Sequence, residues 1–198
     1  MRKLIVNNSV TLDGVMQAPG RPDEDRRGGF RHGGWAAPYS DPVMAEAAAE
    51  GMSGGGAMLF GRRTYEDFAK VWPSMPADNP FARFLNEVPK HVASRSLRDP
   101  LEWSNSRVLY GDATRSVARL KLDAQSDIVI LGSGELIRSL MPHHLIDEYR
   151  LLIHPLVLGE GLRLFSDSAA YLKLRLKATK TTTTGVIIAT YRPALQGA

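Results

Sequence analysis

A mainly parallel α/β sheet, closed on one side by an antiparallel hairpin, is the fold this sequence predicts. Three observations carry the prediction. From Leu4 to Met141 short apolar runs alternate with helical patterns, the mark of parallel strands joined by crossover helices. Near the C-terminus the period becomes two, with Leu172, Leu174, Leu176 and Ala178 opposed to Lys173, Arg175, Lys177 and Thr179. The turns after several apolar runs carry glycine, hydroxyl or arginine side chains, as expected where an open α/β sheet binds a ligand at its strand carboxyl ends.

Taken in order, Leu4–Ser9 is expected as a buried strand. The polar, Gly- and Pro-rich stretch from Gln17 to Asp41 is too long for an ordinary connection, and it carries Phe30, Trp35 and Tyr39 at its far end. It is expected to act as a lid, with Phe30 and Trp35 packing over a ligand ring. Asp41 caps a helix that begins at Pro42. "AMLF" (57–60) reads as a strand, "RRTYEDFAKVW" as a helix, and "NPFARFLNEV" as another with Pro80 near its start. Strands follow at "KHVAS", "RVLYG" and "DIVIL", with helices at "TRSVARLKLD" and "GELIRSLM". "DEYRLLIHPLVLG" reads as a long strand with a proline at a bend or edge, and "YLKLRLKAT" with "TGVIIATYR" as the closing hairpin.

The chain has 198 residues, room for one full core, so a single domain spanning 1–198 is expected. It has no cysteine, which excludes a disulfide framework, a thiolate metal site and a cysteine nucleophile. His32, His91, His143, His144 and His154 show no metal-ligand spacing, so no metal site is expected. A net charge of +4 without a run of five basic residues argues against nucleic acid. No stretch approaches the roughly 20 apolar residues of a membrane span. A cytoplasmic location is the expectation.

Four turns are candidates for chemistry. In "FGRRTYED", Gly61 ends a strand and Arg62, Arg63 and Thr64 open a helix, a setting that suits phosphate. In "VASRSL", Ser94 and Arg95 suit a phosphate monoester, where an acidic residue would instead suit an unphosphorylated ribose. In "ILGSGEL", Gly132 and Gly134 allow backbone amides to approach a diphosphate. In "NSVTLDGVM", Ser9 and Asp13 stand where the first strand runs into the long loop. There is no G-x-S-x-G elbow and no P-loop.

These segments, together with "DEYRLLIHPLVLGEGLRLF", resemble the dihydrofolate-reductase-like superfamily. Within it they resemble most the C-terminal reductase domain of the bifunctional riboflavin-biosynthesis deaminase–reductase and its stand-alone bacterial relatives. The resemblance runs from Lys3 to Arg192. It implies a three-layer α/β/α sandwich, NADPH as cofactor and reduction of a small, heterocyclic substrate. By the same resemblance Arg62, Arg63 and Thr64 hold cofactor phosphates, and Ser94 and Arg95 lie near the 2′-phosphate. Gly132, Ser133, Gly134 and Glu135 sit under the diphosphate, and Ser9–Asp13 runs beside the nicotinamide. Asp13, Asp41, Glu46 or water is left as the proton donor. No deaminase half is expected within these 198 residues, since its zinc ligands require cysteine.

Two other readings stay open at this level: a nucleotide-binding or sensor module without turnover, and a flavin-dependent enzyme. A homodimer is expected through strand 145–158 and hairpin 171–192, whose apolar rows a small monomer has difficulty covering.

Overall fold

The computed structural model describes residues 2–53, 56–165 and 171–194. Among them eight strands form one sheet: β1 (Leu4–Thr11), β2 (Ala57–Gly61), β3 (Lys90–Ala93), β4 (Ser106–Leu109), β5 (Ile128–Leu131), β6 (Glu148–His154), β7 (Leu174–Thr181) and β8 (Ile187–Pro193). Their order is β4-β3-β2-β5-β1-β6-β8-β7. The six strands from β4 to β6 are parallel, and β6-β8-β7 is antiparallel. The expected sheet is therefore present, with its hairpin on one side.

Five α-helices connect the strands: α1 (Pro42–Ser53), α2 (Arg62–Val71), α3 (Pro80–Glu87), α4 (Ala113–Asp123) and α5 (Gly134–Leu140). The sequence signals explain their starts. Asp41 accepts from the Met44 amide, Asn79 from those of Phe81 and Ala82, and Asp112 from that of Arg115. Strand alternation then sends side chains into two cores. Leu4, Val6, Ile128 and Ile130 meet Val117, Ile137 and Leu140 of α4 and α5 on one face. Met58, Phe60 and Val92 meet Tyr65, Leu85 and Trp103 on the other. Lys90 is wholly buried there, its ammonium donating to the Leu85 and Val88 carbonyls and lying 4.7 Å over the Trp103 ring.

Three sequence expectations need correction. Strand 147–159 stops at His154, because Pro155 lacks an amide and the Leu156 amide turns back onto the His154 carbonyl at 2.8 Å. The same strand lies between β1 and β8, so it is no edge. In β7 the alternation breaks: Leu176 faces Tyr191, yet Ala178 faces Thr190, so a bulge at Lys177 puts Leu176 and Ala178 on opposite faces.

Candidate functional site

Parallel pairing brings the carboxyl ends of β3, β2, β5, β1 and β6 side by side, so the candidate turns fall along one edge. The β2–α2 and β5–α5 turns are joined directly. The Gly61 amide donates to Ser133 Oγ at 2.8 Å. A Cβ on Gly132 would lie 3.5 Å from the Thr64 methyl. Gly132 and Ser133 are consecutive left-handed residues, with φ of +62° each. Gly61 itself is extended, at φ −79°, and a Cβ there would lie in ordinary contact with Ser133, 3.4 Å from its Oγ. Among the described residues no side chain caps the N-terminus of α2, which leaves its first amides to solvent or an external acceptor.

The two arginines of this turn differ. Arg62 pairs with Glu66 one helical turn on, at 2.9 Å. Arg63 crosses to Glu135, with Nη1 2.7 Å from Oε1. The same oxygen receives Arg27 Nη1 from the long loop at 3.3 Å. Burial alone would raise the Glu135 pKa, but the hydrogen bond and charge of Arg63, then Arg27, hold it below the usual glutamate value. Glu135 is thus an anchor for guanidinium groups and carries the wrong charge to lie against a diphosphate.

On β3, Ser94 is buried and its Oγ accepts from the amides of Ser96 and Leu97, so it shapes the turn. Arg95 stands exposed beside it. The proposed acids are placed as follows. Asp13 accepts from Thr11 Oγ1 and from the amides of Leu158 and Gly159, and it pairs with Arg163. Burial pushes its pKa up, but those donors outweigh burial and hold it low. Asp41 accepts from the Met44 amide and from both the amide and hydroxyl of Thr183, and its pKa is likewise lowered against a desolvation that opposes the shift. Both carboxylates tie the fold together and stay ionised. Glu46 is exposed on α1, where its charge acts on Lys180.

The Gln17–Tyr39 loop has a core of its own. Gln17 is buried, its amide donating to the Asp25 and Arg27 carbonyls and accepting from Leu162 N. Trp35 Nε1 donates to the Gln17 carbonyl at 2.7 Å. Phe30 and Trp35 are buried with Val15 and Ala18 against Leu156 and Leu158. A Cβ on Gly161 would lie 2.7 Å from the Phe30 ring, which is why glycine stands there. These rings are therefore unavailable to cover a ligand, contrary to the expectation from their polar, glycine-rich surroundings.

Sequence reasoning passed over several groups here. His154 is fully buried, its ring edge-on to Trp35 at 5.0 Å and Tyr39 at 5.5 Å. Asn7, Arg150 and Thr190 form one row across β1, β6 and β8, and Ser9, Leu152 and Ile188 the next, all on one face. All but Ile188 are half-buried, and Asn7 Oδ1 is enclosed without a partner among the described residues. This face is covered by α2 at β2, where Phe68 meets Phe60, and by α1 at β7, where Glu50 holds Lys180. The strip between is a polar floor beside the anion-friendly edge.

The model of the RibD C-terminal domain matches residues 2–188. The uncharacterized protein YyaP of Bacillus subtilis (strain 168) is 28% identical over 195 residues, covering 96% of this chain and 94% of YyaP. Among solved structures, a Shewanella sp. PV-4 protein named for riboflavin biosynthesis superposes with a TM-score of 0.70 at 19% identity, covering 98% of this chain and 99% of that one. A dihydrofolate reductase from Enterococcus faecalis, complexed with NADP(H), superposes with a TM-score of 0.60 at 15% identity, covering 96% of each.

Proposed function

As the chain belongs to the RibD C-terminal domain family, we propose that it is an NADPH-dependent reductase that passes a hydride to a small heterocyclic substrate. The observation that carries this reading is the adjacency of three anion-suited turns on the neighbouring strands β3, β2 and β5. Family membership and the reductase fold support a reductase-type activity in general; the cofactor and substrate are the proposal.

In this reading the uncapped amides of α2, Arg63 and the Gly132–Gly134 backbone hold the diphosphate, and Arg95 meets the 2′-phosphate. Between Gly61 and Thr64, and between Ser94 and Leu97, no acidic side chain favours a bare ribose. NADPH supplies the hydride when bound. Ser9 and Asn7 of β1, with Arg150 and Leu152 of β6, orient the substrate on the polar floor. Asp13 and Asp41 are held ionised by structural bonds, so the proton comes from Glu46 or water.

That commitment of Asp13 and Asp41 is the one observation favouring a binding module without turnover. Loss of the reduced-nicotinamide absorbance band across a panel of small heterocycles decides the matter. The reductase reading expects loss with at least one class. Tight NADPH binding with no loss for any of them supports the module instead, and a yellow protein as isolated points to flavin.

A further inference from the structure

We propose that Arg27, carried by the loop, is a further ligand of the cofactor's diphosphate, and that the Glu135 carboxylate holds that ligand's place. The inference rests on the reading above. Arg63 Nη1 and Arg27 Nη1 converge on the one oxygen Oε1 of Glu135, at 2.7 and 3.3 Å. One guanidinium comes from α2 and the other from a segment more than thirty residues earlier. Two guanidinium groups sharing an oxygen at a left-handed glycine–serine turn present the donors that a phosphate oxygen takes.

The exchange is cheap. The side chains are 42% exposed at Arg27, 51% at Arg63 and 67% at Glu135. Exposed pairs of this kind hold their partners weakly, so a doubly charged diphosphate has little to displace when it takes the carboxylate's place. Glu135 then turns into water. Arg27 is also set in place beforehand. Its carbonyl accepts from Gln17 Nε2 at 3.0 Å, and its Nε lies 2.9 Å from Asp25 Oδ1. Little side-chain freedom remains to be lost when the anion arrives. The loop thereby gains a role that its polar composition does not announce: it closes the phosphate site from above, with its own apolar residues packed away beneath.

Calorimetric titration of the full chain with NADPH, with ADP as a diphosphate probe and with adenosine as a phosphate-free control, tests this. Arg27→Ala is expected to weaken NADPH and ADP about tenfold, with a shallower salt dependence and no change for adenosine. Because Arg27→Ala also strips Asp25 of its partner, Glu135→Gln is the second arm. Removing the competing carboxylate should tighten ADP severalfold, which loss of a merely structural ion pair would not do. If Arg27→Ala leaves both affinities within about twofold, or Glu135→Gln weakens both, Arg27 is no ligand and the NADPH reading survives without it. A wild-type protein that binds neither nucleotide removes the reading and the inference together.

Discussion

Ser133 adopts φ +62° and ψ +50°, a conformation that costs a side-chain-bearing residue about 1 kcal/mol, because its hydroxyl accepts the Gly61 amide. The two effects can be separated. Ser133→Ala keeps the strain and loses the acceptor, so it should destabilise by about 1–2 kcal/mol, while Ser133→Gly relieves the strain and should lie near neutral. Equal losses in denaturant titrations would show that the hydrogen bond, and not the backbone, sets the cost. At His91 the relevant variable is pH. The ring is buried and accepts from Arg107 Nε at 3.0 Å; burial first, and the Arg107 charge second, push its pKa down to about 4. Unfolded histidine titrates near 6.5, so the unfolded chain binds the extra proton between those values. The stability is fully present above pH 6.5 and is lost as pH falls through 4, by about 3 kcal/mol. His91→Gln should flatten that part of the pH–stability profile, and an unchanged slope would contradict the assignment. The turns at Gly61 and Gly132 were legible in the sequence because glycine and arginine at strand ends have few other uses. The partners Leu158, Gly159 and Arg163 of Asp13, and Arg63 and Arg27 of Glu135, were not, since they lie far along the chain.

The element that departs most from its sequence signal is the loop from Gln17 to Tyr39. Glycine pairs and six charges between Arg21 and Arg27 suggest solvent, yet Gln17 and Trp35 organise a small core whose other half, Leu156 and Leu158, comes from beyond β6. Trp35→Ala should free this loop while leaving the sheet intact, since burial of such a ring is worth about 3–5 kcal/mol. Limited trypsin digestion should then cut within Arg21–Arg31 much faster than in the wild type; an unchanged rate would mean the loop is held otherwise. Asp13 joins the end of β1 to the same segment. If it is a structural tie, Asp13→Ala should lower stability by about 1–3 kcal/mol and leave turnover per folded molecule nearly intact. A large fall in kcat without a fall in Tm would restore it as a proton donor. The helix cap at Asp41 was readable beforehand because capping is local. The Lys177 bulge was not, because a strand's register depends on its neighbour.

On the scale of the whole molecule, β7 is the exposed edge of the hairpin, and it resists bare strand pairing. It carries Arg175, Lys177 and Lys180, and the Lys177 bulge distorts its ladder. Leu176 and Ile187 are exposed on the sheet face opposite the one that α1 covers through Glu50 and Lys180. If the homodimer expected through the hairpin forms, light scattering at micromolar concentration should give twice the chain mass. A monomeric mass ends that proposal. No helix among the described residues is long and apolar enough to cross a membrane. In the proposed function one sheet edge, from β3 across β2 to β5, holds a phosphorylated dinucleotide. A crystal structure of the protein grown with NADPH tests it most directly. The expected result is the diphosphate between Arg63 and Gly132–Gly134, with the 2′-phosphate at Arg95. Nucleotide bound elsewhere, or absent from that edge at saturating concentration, would contradict it.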